Sequence, residues 1–115
     1  VFWQDENGYS ESQDYIMDLK NRSVKSKDAR IKLNKIVEYM DMLETYGTEI
    51  GEPYIKHIDC EIFELRPLRD RFFFFYKQEN RYIILNHFVK RTQKTPRREI
   101  EKAFKLAKDF NERNL

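Results

Sequence analysis

Glu64-Leu-Arg-Pro-Leu-Arg-Asp-Arg-Phe-Phe-Phe-Phe-Tyr76 is the stretch from which the rest of the chain is read. Around it, Phe63 and Leu65 alternate with Ile62, Glu64 and Arg66, the period of a strand with a core face and a charged face. Pro67-Leu-Arg-Asp70 supplies turn residues. Arg71 to Lys77 reads as a second strand, with Phe72, Phe74 and Tyr76 on one face and Arg71, Phe73 and Phe75 on the other. Aromatic residues on both faces predict a central strand, covered on one side and lining a groove on the other. Gln78-Glu-Asn-Arg81 turns the chain again and Tyr82 to Val89 returns as a third strand, completing an antiparallel meander.

Upstream, Gly51-Glu-Pro53 is a break before a strand from Ile55 to Ile58. Ala29, Leu33, Ile36, Val37, Met40 and Leu43 form an amphipathic stripe that Gly47 ends as a C-cap. Ser10-Glu-Ser-Gln13 matches a capping box opening a helix that ends near Asn21. Phe2 and Trp3 lead into an Asn-Gly turn as a short edge strand. Downstream, Thr95 at the N-cap and Pro96 at the first helical position start a helix whose stripe is Ile100, Ala103, Phe104, Ala107 and Phe110. The order predicts an α+β fold: a mostly antiparallel sheet of about four to five strands, with two N-terminal helices and one C-terminal helix on one face.

Residues 1–115 read as a single domain, by length and with no repeat or low-complexity segment. No run is apolar enough to span a membrane, and Val1-Phe-Trp-Gln-Asp-Glu lacks the features of a secretion signal. The chain does not begin with Met, and the sequence leaves open whether natural residues precede Val1. Cys60 has no intrachain partner, which fits a reducing cytoplasm, and is expected to be a buried small hydrophobe. Charge is divided: residues 1–61 hold 8 Lys/Arg against 13 Asp/Glu, and residues 62–115 hold 14 against 7. Such a division predicts a local anion-binding surface or, more plainly, a solvated basic helix face.

A single Cys and two separated His give no zinc spacing, and the acidic residues concentrate away from the basic hairpins, so no metal site is expected. There is no nucleophile elbow, P-loop or dinucleotide fingerprint, and no cofactor is expected. Metal-free phosphoryl chemistry and plain nucleic-acid binding remain. RNA carries its own nucleophile in the 2′-OH, and Arg and Lys stabilise the charge that develops on phosphate. Arg66 and Arg71 lie on adjoining strands, and Lys90, Arg91 and Lys94 lie where the third strand exits. The plainer alternative is surface pairing with Glu64, Asp70 or Glu79, and it is preferred for Arg69. His87 is a candidate acid or base, although alternation places it with Leu85 and Val89, where a structural histidine is equally expected; His57 is a weaker candidate. Phe88 is the better candidate for stacking on a base, because Tyr76 shares the face of Phe72 and Phe74 and is expected in the core.

Glu64-Leu-Arg-Pro67, Arg71 opening an aromatic strand, and Phe88-Val-Lys-Arg-Thr-Gln-Lys-Thr-Pro96 followed by Glu99-Ile resemble the HigB-like, phage-derived branch of the RelE superfamily of type II toxin–antitoxin modules. The resemblance is strongest over residues 51–113. It implies a RelE-like fold and an endoribonuclease that cuts mRNA, usually on the ribosome, by 2′-OH attack giving a cyclic phosphate without a metal. Arg71 would stabilise the transition state, with Lys90, Arg91 and His87 as further catalytic candidates and His87, Lys90 and Lys94 rivals for the base. Arg66, Lys94, Phe88 and Thr95 would hold RNA. The implied partners are mRNA, the ribosome and a helix-turn-helix, HigA-like antitoxin, with DNA reached only through the antitoxin. Many relatives carry glycine in the turn before the strand arginine; here Pro67-Leu-Arg-Asp70 has none. A non-catalytic RNA- or protein-binding module of the same fold is the competing reading.

Overall fold

The computed structural model describes residues 1–79 and 81–113. In chain order these form α1 (Glu11–Arg22), α2 (Lys27–Tyr46), a 3-10 turn (Gly47–Ile50), β1 (Ile55–Asp59), β2 (Ile62–Leu65), β3 (Asp70–Lys77), β4 (Arg81–Val89) and α3 (Arg97–Glu112). The strands make one antiparallel sheet in the order β1-β2-β3-β4, the expected meander. The N-terminal edge strand is reduced to one parallel bridge between Phe2 and Ile84. The predicted turn at 78–81 includes Asn80, which lies outside the described residues.

The expectation of all helices on one face is corrected. Leu19, Ala29, Ile36 and Leu43 of α1 and α2 pack on Ile55, Leu65, Phe72, Phe74 and Ile84. Ala103, Ala107 and Phe110 of α3 cover Ile62, Phe73, Phe75, Ile83 and Leu85 on the opposite face. A strand with phenylalanine on both faces has about 25 cal/mol per Å² to gain from a second cover, and the α3 stripe supplies it. The groove is therefore confined to the part of that face beyond α3.

Local signals act largely as expected. The Ser10 hydroxyl accepts from the Gln13 amide at 3.1 Å, although the Gln13 side chain takes a hydrogen bond from Gln4 instead of closing the box. Gly47 caps α2 at φ 68, a conformation costly for residues with a Cβ. The third helix starts one residue late: Pro96 occupies the cap position with extended backbone, and the Thr95 hydroxyl donates to Glu64. Several burial expectations fail, among them Val37, which the α2 stripe included and which is 49% exposed. Cys60 is exposed in the β1–β2 turn, where its left-handed φ of 48 serves the reversal. Tyr76 is 49% exposed near the end of β3, where its ring rests on Tyr82.

A bulge in β4 decides which of its later side chains face α3 and which face α1. Phe72 pairs with His87 and Phe74 with Ile84, so Leu85 and Asn86 together oppose Phe73. Leu85 packs in the α3-side core and Asn86 donates to Glu99 of α3, so both point the same way. Beyond them the alternation is reversed. Among the described residues no helix is long and apolar enough to cross a membrane.

Candidate functional site

Where α3 ends its cover, the same face of the sheet turns from aromatic to cationic. Arg71 stands opposite Phe88 in the register, and Arg66 follows the end of β2. Lys90 lies just past β4, and its amide donates to the Arg69 carbonyl at 2.8 Å, which fastens it beside the Pro67–Asp70 turn. That turn closes through the Asp70 amide on the Pro67 carbonyl at 3.1 Å and holds Leu68 at φ 56.

Glu64 lies at the centre of these cations, completely buried. One carboxylate oxygen, Oε1, is 3.4 Å from Arg66 Nε and 3.7 Å from Arg71 Nε, and Oε2 accepts from the Thr95 hydroxyl at 3.3 Å. The two guanidinium contacts are Coulombic: Glu64 Oε1, Arg66 Nε and Arg71 Nε are all buried without a hydrogen-bond partner among the described residues. Arg71 is aimed by other means, since its Nη1 donates to the carbonyls of Leu68 at 2.7 Å and Asp70 at 2.9 Å. Arg66 also reaches Glu52 at 3.5 Å.

Burial pushes the Arg71 guanidinium below its ordinary pKa, against the opposing pull of Glu64. Lys90 is lowered for the same first reason; Glu64 opposes the shift, and the nearby charges of Arg66, Arg71 and Lys56 add to it. Two shallow cavities share Arg71. One, of about 350 Å³, is lined by Arg69, Arg71, Lys90, Arg91, Thr92 and Gln93. The other, of about 290 Å³, is lined by Tyr39, Pro53, Arg66, Leu68 and Arg71.

Of the residues singled out in the sequence, Arg66, Arg71, Lys90 and Arg91 are brought together, and Arg69, expected to pair elsewhere on the surface, joins them. Lys94 is exposed in the loop before α3, and Thr95 is turned onto Glu64. The Phe88 ring is half-buried against Phe73, with centroids 5.6 Å apart, and belongs to the α3-side core. His87 is on the other face. Its Nε2 is 2.9 Å from Asp70 Oδ1, the Tyr15 hydroxyl donates to the same oxygen at 2.7 Å, and the two rings stack at 3.8 Å. That assembly ties α1 to β3 and β4. His57 contacts the Cys60 carbonyl, far along the edge strand. Among the described residues no group of three or more His, Cys, Asp or Glu is placed to hold a metal ion.

Sequence reasoning passed over Tyr39, which is outside the apolar stripe read on α2, and Leu68, which sits in a turn. It treated Glu64 only as a surface partner; its place on the face of buried Phe73 was the signal.

A model of the family described as "Phage derived protein Gp49-like (DUF891)" matches residues 22–108, a span that contains α2, the whole sheet, the cationic groove and most of α3. A search of curated proteins finds no match.

Proposed function

The chain belongs to the phage-derived Gp49-like family, associated with RelE-like toxins, and from that premise we propose that it is a HigB-like toxin: a metal-independent endoribonuclease that cuts mRNA on the ribosome. The observation that carries the reading is Arg71, nine-tenths buried and held by two backbone carbonyls at the junction of two open cavities. A cation fixed before substrate arrives stabilises a charge that grows during reaction without reorganising. In the proposed step the RNA 2′-oxygen bonds to phosphorus and the bond to the 5′-oxygen breaks, leaving a 2′,3′-cyclic phosphate and a 5′-hydroxyl. Arg71 meets the non-bridging oxygens. Lys90, whose ammonium burial and the neighbouring cations hold below its ordinary pKa, is assigned the 2′ proton through its deprotonated fraction, and solvent protonates the leaving oxygen. Arg69 and Arg91 hold the neighbouring backbone. His87, on the opposite face, has a structural part.

The proposed setting is the cytoplasm, with a helix-turn-helix antitoxin as the neutralising partner. Inducible expression in a bacterium, with growth followed and mRNA 5′ ends mapped, tests the reading. The expected outcome is growth arrest with cuts inside translated codons, lost in folded Arg71→Ala and Lys90→Ala proteins. Normal growth with intact transcripts, despite folded wild-type protein, would refute it.

A further inference from the structure

We propose that the cavity between Tyr39, Pro53 and Leu68 is a nucleobase subsite, which takes the unpaired base of the nucleotide whose phosphate lies at Arg71; this rests on the ribonuclease reading and deepens it. The walls combine one aromatic ring, one proline and one leucine, and Arg66 and Arg71 complete the lining, in a volume of about 290 Å³. Flat apolar surface beside cations is what a nucleotide needs, with its base stacked and its phosphate paired. The Tyr39 ring is braced edge-on by Tyr54, with centroids 5.1 Å apart at 68°. It arrives from α2, on the other layer of the fold, and no pattern within β2 or β3 foretells it.

Leu68 provides the second observation. It holds a left-handed φ of 56, which a side chain with a Cβ adopts only at a cost, and yet the side chain is 47% exposed. Packing does not require a leucine there, and glycine would sit without strain. The same residue's carbonyl accepts from Arg71, so one turn position aims the cation and offers an apolar surface next to it. On the far side of Arg71 the other cavity carries Arg69, Lys90 and Arg91 and is suited to the following phosphate. A single strand laid across Arg71 thus meets a cavity that pairs apolar walls with two arginines on one side and a wholly polar, basic one on the other.

The test measures binding of adenosine 3′-monophosphate and of inorganic phosphate by NMR, following the side-chain signals of Arg71, Lys90 and Tyr39. Stacking of a base on an aromatic ring is expected to give the nucleotide a roughly five- to hundredfold advantage over phosphate. Within each variant the ratio of nucleotide to phosphate affinity is read: Tyr39→Ala and Leu68→Gly should bring that ratio close to one, and Tyr39→Phe should keep it at the wild-type value. Leu68→Gly relieves the left-handed strain, so it provides a folded variant even where Tyr39→Ala disturbs α2. Equal affinities for nucleotide and phosphate, or an advantage untouched by Leu68→Gly and Tyr39→Ala, would overturn the subsite alone. Absence of any phosphate-induced shift at Arg71 and Lys90 would bring down the ribonuclease reading as well.

Discussion

Replacing Glu64 by glutamine keeps the shape of the most deeply buried charge in the groove and removes its sign. Removing one partner of a buried ion pair costs about 3–5 kcal/mol. Here the carboxylate stands 3.4 Å from Arg66 Nε and 3.7 Å from Arg71 Nε, both beyond good hydrogen-bond length, and the Arg66 side chain keeps 20% of its exposure. The low end applies, about 3 kcal/mol, which for a domain of this size lowers Tm by roughly 15 °C. Phosphate should respond in the opposite sense. Arg71 keeps its aim through the Leu68 and Asp70 carbonyls, while the repulsion between Glu64 and an anion in the groove disappears. In a solvent-screened site that repulsion is on the order of 1 kcal/mol, or about a fivefold gain in phosphate affinity. Thermal unfolding of wild type and Glu64→Gln, with increasing phosphate and with chloride at matched ionic strength, reads both effects. The expected pattern is a lower Tm alone and a larger rise with phosphate. An unchanged Tm would mean that Glu64 does not carry the arginines. A lower Tm with a weaker phosphate response would mean that Glu64 orients the groove and does not compete with its ligand.

Tyr15→Phe removes the hydroxyl that donates to Asp70 and should cost about 1.5 kcal/mol in urea unfolding at neutral pH. Burial and Asp70 raise the folded Tyr15 pKa above its ordinary value of 10.0, so its contribution is full below that value and is lost as pH rises through the folded one. Wild type should therefore lose stability above about pH 10 more steeply than Tyr15→Phe, and parallel alkaline slopes would refute the coupling. His87→Gln should lower stability by about 1–2 kcal/mol while ribonuclease turnover per folded molecule is kept, since His87 faces away from Arg71; loss of turnover in a folded variant would return it to the chemistry. Gly47→Ala places a Cβ 2.7 Å from the Tyr82 hydroxyl at φ +68 and should destabilise by about 1–2 kcal/mol. Tyr82→Phe in the same chain should recover the steric part but not the backbone part, as a double-mutant cycle of unfolding free energies would show.

The meander was legible because strand period and turn chemistry agree at each step: Phe63 and Leu65 against Glu64, Pro67 to Asp70 at the reversal, then the aromatic run. Gly47 and Ser10 marked helix ends through backbone demands that few residues meet. The side of the sheet on which α3 packs was not legible from α3 itself, since an amphipathic stripe reports that a face is buried and not against what. The missing information lay in Phe73 and Phe75, whose apolar face required a cover. Cys60 and Tyr76 failed for a related reason: residue type predicts burial on average, while position at a turn or a strand end decides it in the particular case.

The site depended on one residue that no alternation shows. Asn86 is wholly buried and donates to the carbonyl and carboxylate of Glu99, which holds it on the α3 side next to Leu85 where strict alternation would turn it away. With unbroken alternation from Leu85, His87 and Val89 would stand on the face of Arg71, and Phe88 and Lys90 would turn towards α1. The bulge reverses this. His87 goes to Tyr15 and Asp70, where it pins α1 to the sheet, and Lys90 comes to Arg71 in the basic cavity. A bulge that re-aims a side chain is thus the device that decides whether the groove contains an imidazole or an ammonium group. Deleting it by shortening β4 at Asn86 should move the chemistry of the groove and the anchoring of α1 together, because both are set by the same reversal of parity.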